Sequence, residues 1–130
     1  MAINFKKALV DHEVVTCEVA AYPKATDDVI NDMMGKVVTV NKIGVTLGRT
    51  KEPFAVFTLE EYPDFQFHAG SIFNKMVAAW MDDSGDGDFK PGNCDNLNAE
   101  IAECGGLKMR FNKQPHTDSS RSDYWLPVLV

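Results

Sequence analysis

The residues of this chain that could do chemistry fall into a sparse group and a coherent one. Cys17, Cys94 and Cys104 are scattered, with no CxxC or HxxxH spacing for zinc and no neighbouring histidine to make a thiolate nucleophile. His12 lies near Cys17, and His68 alternates with Phe67 in a strand-like run, where a half-buried structural histidine is expected. No GxSxG, P-loop or dinucleotide fingerprint occurs. Asp82, Ser84, Asp86, Gly87 and Asp88 echo the start of a calcium loop. The twelfth position is Asn93 instead of a bidentate glutamate, and Pro91 interrupts the run, so a flexible acidic loop over 82–93 is expected. Neither a catalytic residue nor a metal or other cofactor is predicted. The coherent group pairs cations with aromatic rings: Arg49, Lys51, Lys108, Arg110, Lys113, His116 and Arg121 with Phe54, Phe65, Phe67, Tyr124 and Trp125. Such a set neutralises phosphates and stacks on bases, the two requirements for holding a single nucleic-acid strand.

Elements of alternating hydrophobicity must carry these residues. Lys36 to Leu47 is the clearest strand, and Gly44 within it suggests a bulge or bend. Phe54 to Glu60 and Asp64 to Ala69 form a hairpin about Glu61-Tyr62-Pro63. The period then changes to 3.6, with Ser71 as cap and Ile72, Phe73, Met76, Val77, Trp80 and Met81 on one helical side. Asp95 caps a short helix ending at Gly105-Gly106. Leu107 to Asn112 alternates as a fourth strand, and Tyr124 to Val130 is the last, with Pro127 marking an edge or bulge. Upstream, Glu13 to Tyr22 reads as a strand and Thr26 caps a short helix ending before Gly35.

Length and composition fit one domain over 1–130: 45% hydrophobic and 25% charged residues are ordinary for a globular chain. No apolar run approaches a membrane span, and residues 1–7 lack a signal-peptide core. With three unpatterned cysteines, this predicts a cytoplasmic protein with no membrane partner. The net charge of −6 is unevenly spread. Residues 1–35 carry −3, 36–69 carry 0, 70–106 carry −5 and 107–130 carry +2, so the strands are neutral to basic and a local cationic face is allowed.

From Lys36 onward the order is β-β-β-α-β-β. That is the order of an OB-fold, a five-stranded Greek-key barrel with its helix after strand three. The expected fold is therefore α+β and β-rich. It comprises an OB-like barrel over 36–130, helices after strand three, and an N-terminal extension over 1–35 made of a strand and a short helix. The run AVFTLEEYPDFQFHAGSIFNK (55–75), followed by GLKMRFNKQPHTDSSRSDYW (106–125), resembles small single-stranded-DNA-binding proteins of phages and prophages of Gram-positive bacteria. The resemblance implies non-catalytic, largely sequence-independent binding of single-stranded DNA in phage replication or recombination, in the cytoplasm of a host cell, by a homo-oligomer. The loops that frame the ligand of an OB-fold hold Arg49 and Lys51 in one case and Lys113, His116 and Arg121 in the other. The candidate contacts are Arg49, Lys51, Phe54, Phe67, Lys108, Arg110, Lys113, Arg121 and Trp125. Alternation along strands turns about half of the aromatics inward. Bacterial members of the wider family end in an acidic partner-recruiting tail; this chain ends in the strand-like Trp125 to Val130, so that role does not carry over. The alternative is a protein-interaction or virion-assembly module on the same barrel, and a small hydrolase without a linear motif is the second.

Overall fold

The longest strand of the chain, Val37–Leu47 (β1), organises the rest. In the computed structural model, which describes residues 17–49, 51–115, 117, 118, 120 and 123–130, five further strands join it. These are Pro53–Leu59 (β2), Tyr62–Phe67 (β3), Gly92–Asn93 (β4), Leu107–Gln114 (β5) and Tyr124–Leu129 (β6). The helices are Asp27–Met33 (α1), Ser71–Ser84 (α2) and Asp95–Glu103 (α3). The fold is α+β, with one open antiparallel sheet of order β3-β2-β1-β5-β6 and β4 added to β1. One edge of β1 pairs with β2, from Val40↔Leu59 to Leu47↔Pro53. The other edge is shared by β5, from Val37↔Arg110 to Val40↔Leu107, and β4 at Gly44↔Asn93.

The bulge in β1 falls at Asn41, three residues before the glycine expected to carry it. One extra residue reverses the side-chain parity. Val38 and Val40 therefore enter the core before it, and Ile43 and Val45 after it. They meet Ala55, Phe57 and Leu59 of β2, Phe67 of β3, and Met109 and Phe111 of β5. Phe57 is central, stacked on Phe67 at 5.7 Å and on Phe111 at 5.1 Å, with Phe73 tilted against it at 4.9 Å. The apolar stripe of α2 (Phe73, Val77, Met81) and that of α3 (Leu97, Ile101) close the core, as their 3.6-residue spacing requires.

The helix ends depart from expectation at two places. Thr26 caps α1 through its Oγ1, which accepts from the Val29 N–H at 3.3 Å. Ser71 is instead the first residue of α2, and Gly70, at φ 89°, turns the chain into it. Asp95 sits in the first turn of α3, whose free N–H groups are served from a distance. The Asp86 carboxylate accepts from Asn96 N–H and Leu97 N–H, both at 2.9 Å, and from the Ser84 hydroxyl. Asp86, read from sequence as part of a calcium-like loop, is thus a helix cap. Burial alone would raise its carboxyl; the three donors outweigh this and hold it below the usual range.

Glu13 to Tyr22 was expected as a strand. Residues 13–16 lie outside the described residues, and Val19–Ala21 is a 3₁₀ turn. This turn lies over the outer face of β1 and β2, where Cys17 and Val19 pack on Val56. Beyond it, Pro23–Ala25 runs parallel to β3. Gln66 N–H donates to the Pro23 carbonyl at 2.8 Å, and Ala25 N–H to the Gln66 carbonyl at 2.9 Å. The Gln66 side-chain amide adds bonds to the carbonyls of Ala20 and Tyr22, at 2.9 and 2.6 Å.

The closed five-stranded barrel expected from the element order is not what the structure contains. Among the described residues no ladder joins β3 to β6. Both edges have a physical reason. The β3 edge at Gln66 is taken by Pro23–Ala25. On β6, the Val130 N–H faces β5, so alternation turns the odd-numbered amides outward, and Pro127 supplies no N–H at the centre of that edge.

Candidate nucleic-acid interface

The β1–β2 turn is built by Lys51 N–H donating to the Gly48 carbonyl at 3.0 Å, with Lys51 at φ 60°. Arg49 and Lys51 are both exposed on it. The turn rests on Phe54: a Cβ on Gly48 would lie 3.1 Å from the Phe54 ring. Phe54 is half-buried beside Val56, and His68 meets its ring edge-to-face at 4.6 Å. The imidazole is oriented by its Nδ1, 3.2 Å from the Ala55 carbonyl. A carbonyl only accepts, so Nδ1 carries the proton. Burial lowers the pKa of His68, partly offset by that bond, which favours a neutral ring.

His68 stands between two clefts. One, of about 230 Å³, is lined by Lys24, Phe54, Val56, Gln66 and His68, with Ala25, Ile30 and Phe67 completing its walls. The other, of about 240 Å³, runs from His68 to Ile72 and is faced by Asp123, Tyr124 and Trp125. A third, of about 540 Å³, shares Asp123 and Trp125 with the second and Ile30 with the first, and adds Asp27, Asn31 and Lys113. The clefts share lining residues and form an arc from Phe54 and His68, past Tyr124 and Trp125, to Lys113. Trp125 is half-buried, its ring edge-on to Phe111 at 5.8 Å, and Tyr124 is exposed. Lys24 and Lys113 give the arc cations, and Asp27 and Asp123 give it two carboxylates near Lys113.

The other sequence candidates stand elsewhere. Phe67 is 2% exposed and stacked on Phe57; its ring belongs to the core and offers no stacking platform, which corrects its assignment as one. Phe65 packs half-buried against the same core. Lys108 donates to Thr39 Oγ1 at 2.8 Å, and Thr39 in turn donates to Glu61 through its N–H at 2.7 Å and its hydroxyl at 2.9 Å. Burial alone would raise the Glu61 carboxyl; these bonds and the Lys108 charge hold it low. Lys108 is thereby committed to a β1–β5–hairpin network. Arg110 lies on the outer face of β5 between Val37 and Val128, outside the three clefts. Arg121 and His116 lie outside the described residues.

Sequence reasoning missed Lys24 and the placement of His68. The only signal for His68 was its parity with Gln66, opposite to Phe65 and Phe67. Lys24 had none, because a single parallel bridge positions it. Among the described residues no three His, Cys, Asp or Glu side chains gather as a metal site. Burial raises the thiols of Cys17 and Cys94, the latter to about 12, and so keeps them protonated. No helix of the described residues is long and apolar enough to cross a membrane. No protein-family model, curated protein or solved structure matches the chain.

Proposed function

We propose that this chain binds single-stranded DNA without catalysis and largely without sequence preference, in replication or recombination of a phage or prophage inside its host's cytoplasm. The observation that carries the reading is the arc of clefts around His68. It brings Phe54 and His68, and Tyr124 and Trp125, into one run of clefts that ends at Lys113, with Arg49 and Lys51 exposed on the turn that rests on Phe54. Successive bases would stack on the rings, while Lys24, Arg49, Lys51 and Lys113 neutralise phosphates. The strand order β3-β2-β1-β5-β6, with α2 leaving β3, is that of an OB barrel before its last pair closes, so the reading retains an OB-like fold with the extension at the closing seam. Self-association belongs to the same reading, because one arc accommodates only a short stretch of strand.

The test is binding of fluorescein-labelled oligo-dT across a salt series. Four phosphate contacts predict a slope of log K against log salt of about −3, and Lys113→Glu should reduce its magnitude by about 0.7. Trp125→Ala removes a stacking surface worth about 1–3 kcal/mol, roughly a 5- to 150-fold loss. Absence of binding at low salt refutes the proposal.

A further inference from the structure

His68 is the residue shared by the first two clefts. It is open to solvent there, and its two ring nitrogens are differently engaged. Nδ1 is tied to the Ala55 carbonyl at 3.2 Å. Among the described residues no hydrogen bond reaches Nε2. With the proton on Nδ1, Nε2 presents only a lone pair to the clefts. The charged and titratable side chains facing the ring from the elements that line these clefts are Lys24 on one side and Asp123 and Tyr124 on the other. Partial burial, aided by the Lys24 charge and opposed by the Ala55 bond, lowers the pKa of the ring and keeps it neutral at rest.

The single-strand binding proposed above, on which this inference rests, stacks bases on Phe54 in one cleft and on Tyr124 or Trp125 in the other. The phosphodiester that links such bases must then pass the residue between the two stations, which is His68. A neutral acceptor repels a phosphate oxygen, whereas a protonated nitrogen donates to it with a full charge. Lys24, in the first cleft with His68, adds a second cation for the same group. We infer that His68 is a proton-linked phosphate seat: a phosphodiester arriving between the stations draws one proton from solvent onto Nε2, which then donates to a phosphate oxygen while Nδ1 keeps the Ala55 carbonyl. The strand is thereby held more tightly in acid. A base edge that offered its own N–H to neutral Nε2 has the opposite dependence, because protonation removes the lone pair it needs.

Anisotropy of oligo-dT carrying a pH-insensitive dye tests this at constant ionic strength. A rise of about one pKa unit beside a phosphate is worth up to about tenfold in affinity, so binding should be about fivefold tighter at about pH 6 than at about pH 8. His68→Gln, which keeps a polar side chain but has no titrating nitrogen, should lose most of that gain even though His12 and His116 remain. Calorimetric titration of the unmodified protein in two buffers of different ionisation heat needs no variant and should show uptake of roughly half a proton near about pH 6.5. Affinity that does not change with pH, a gain that His68→Gln retains in full, or absence of proton uptake overturns the proton link and leaves the proposed DNA binding standing. Affinity that falls in acid also overturns it and gives Nε2 to a base edge. Absence of oligo-dT binding at both pH values overturns the proton link and the DNA binding together.

Discussion

Substituting Gly44 by alanine probes the seating of the N-terminal segment on the sheet. The added Cβ would lie 2.5 Å from Cys17 Sγ, 3.0 Å from Cys17 Cβ and 3.5 Å from Val19 Cβ. Ordinary contact begins near 3.5 Å, so the overlap with sulfur is about 1 Å. Gly44 cannot yield, because β1 is paired there with Val56 on one side and Asn93 on the other. At residues 17–19 the overlying segment is held by Glu18 N–H to Asn93 Oδ1 at 3.2 Å and by burial of Cys17 and Val19, and just beyond by the Gln66 amide on the Ala20 and Tyr22 carbonyls. Overpacking of this kind costs about 1–3 kcal/mol. Burial of one valine, worth about 1.5–3 kcal/mol, sets a similar ceiling, since beyond it the segment lifts away. Urea denaturation of Gly44→Ala should show that loss. A thiol reagent, which in the parent reacts fast only with exposed Cys104, should also reach Cys17. Adding Cys17→Ala deletes the closest contact, and the double-mutant cycle should show coupling of about 1 kcal/mol or more. A Gly44→Ala protein as stable as the parent, with Cys17 still protected, refutes the account.

Other outcomes follow from the same geometry. Glu61→Ala leaves the N–H of fully buried Thr39 without its acceptor and should cost about 1–3 kcal/mol by denaturation. Because the Glu61 pKa is lowered on folding, this stabilisation is present above the unfolded value and is lost as pH falls through the folded one; stabilities measured on descending pH should converge. Asp86→Ala removes the donated cap of α3 and should cost about 0.5–2 kcal/mol, while calcium should leave the melting temperature of both proteins unchanged. The His68 pKa is lowered in the fold, so the unfolded chain takes up a proton first as pH drops below about 6.5. Melting temperature should therefore decline with acidification from there, and His68→Gln should flatten that slope.

The parts of this molecule that local pattern decides were legible. The alternation of Val38 and Val40, of Phe57 and Leu59, and of Met109 and Phe111 announced β1, β2 and β5, and the spacing of Phe73, Val77 and Met81 announced α2. Features decided by distant partners were not. Val19–Ala21 ends a Val- and Thr-rich run that reads as a strand, yet it forms a turn whose Ala20 carbonyl, like that of Tyr22 after it, is bound by the Gln66 amide. The two-residue β4 has no pattern of its own. Phe65 and Phe67 share a parity, yet only Phe67 is deeply buried, because the stack on Phe57 chose it. His68 read as structural from its own neighbours; its place between clefts depends on Phe54 and Tyr124, which other elements bring to it. Sequence order also implied a closed barrel, and nothing local revealed that Pro23–Ala25 would occupy the edge needed for closure.

That clasp has a kinetic meaning. The bonds from Gln66 to Ala20, Tyr22, Pro23 and Ala25 span more than forty residues of chain, and closing such a loop is entropically costly before the intervening hairpin exists. The β1–β2–β3 contacts are far more local and create the edge that the clasp requires. Its bonds are therefore expected on the native side of the folding barrier. On that account Gln66→Ala should speed unfolding and leave the folding rate unchanged in stopped-flow kinetics, the behaviour of a latch on an assembled sheet.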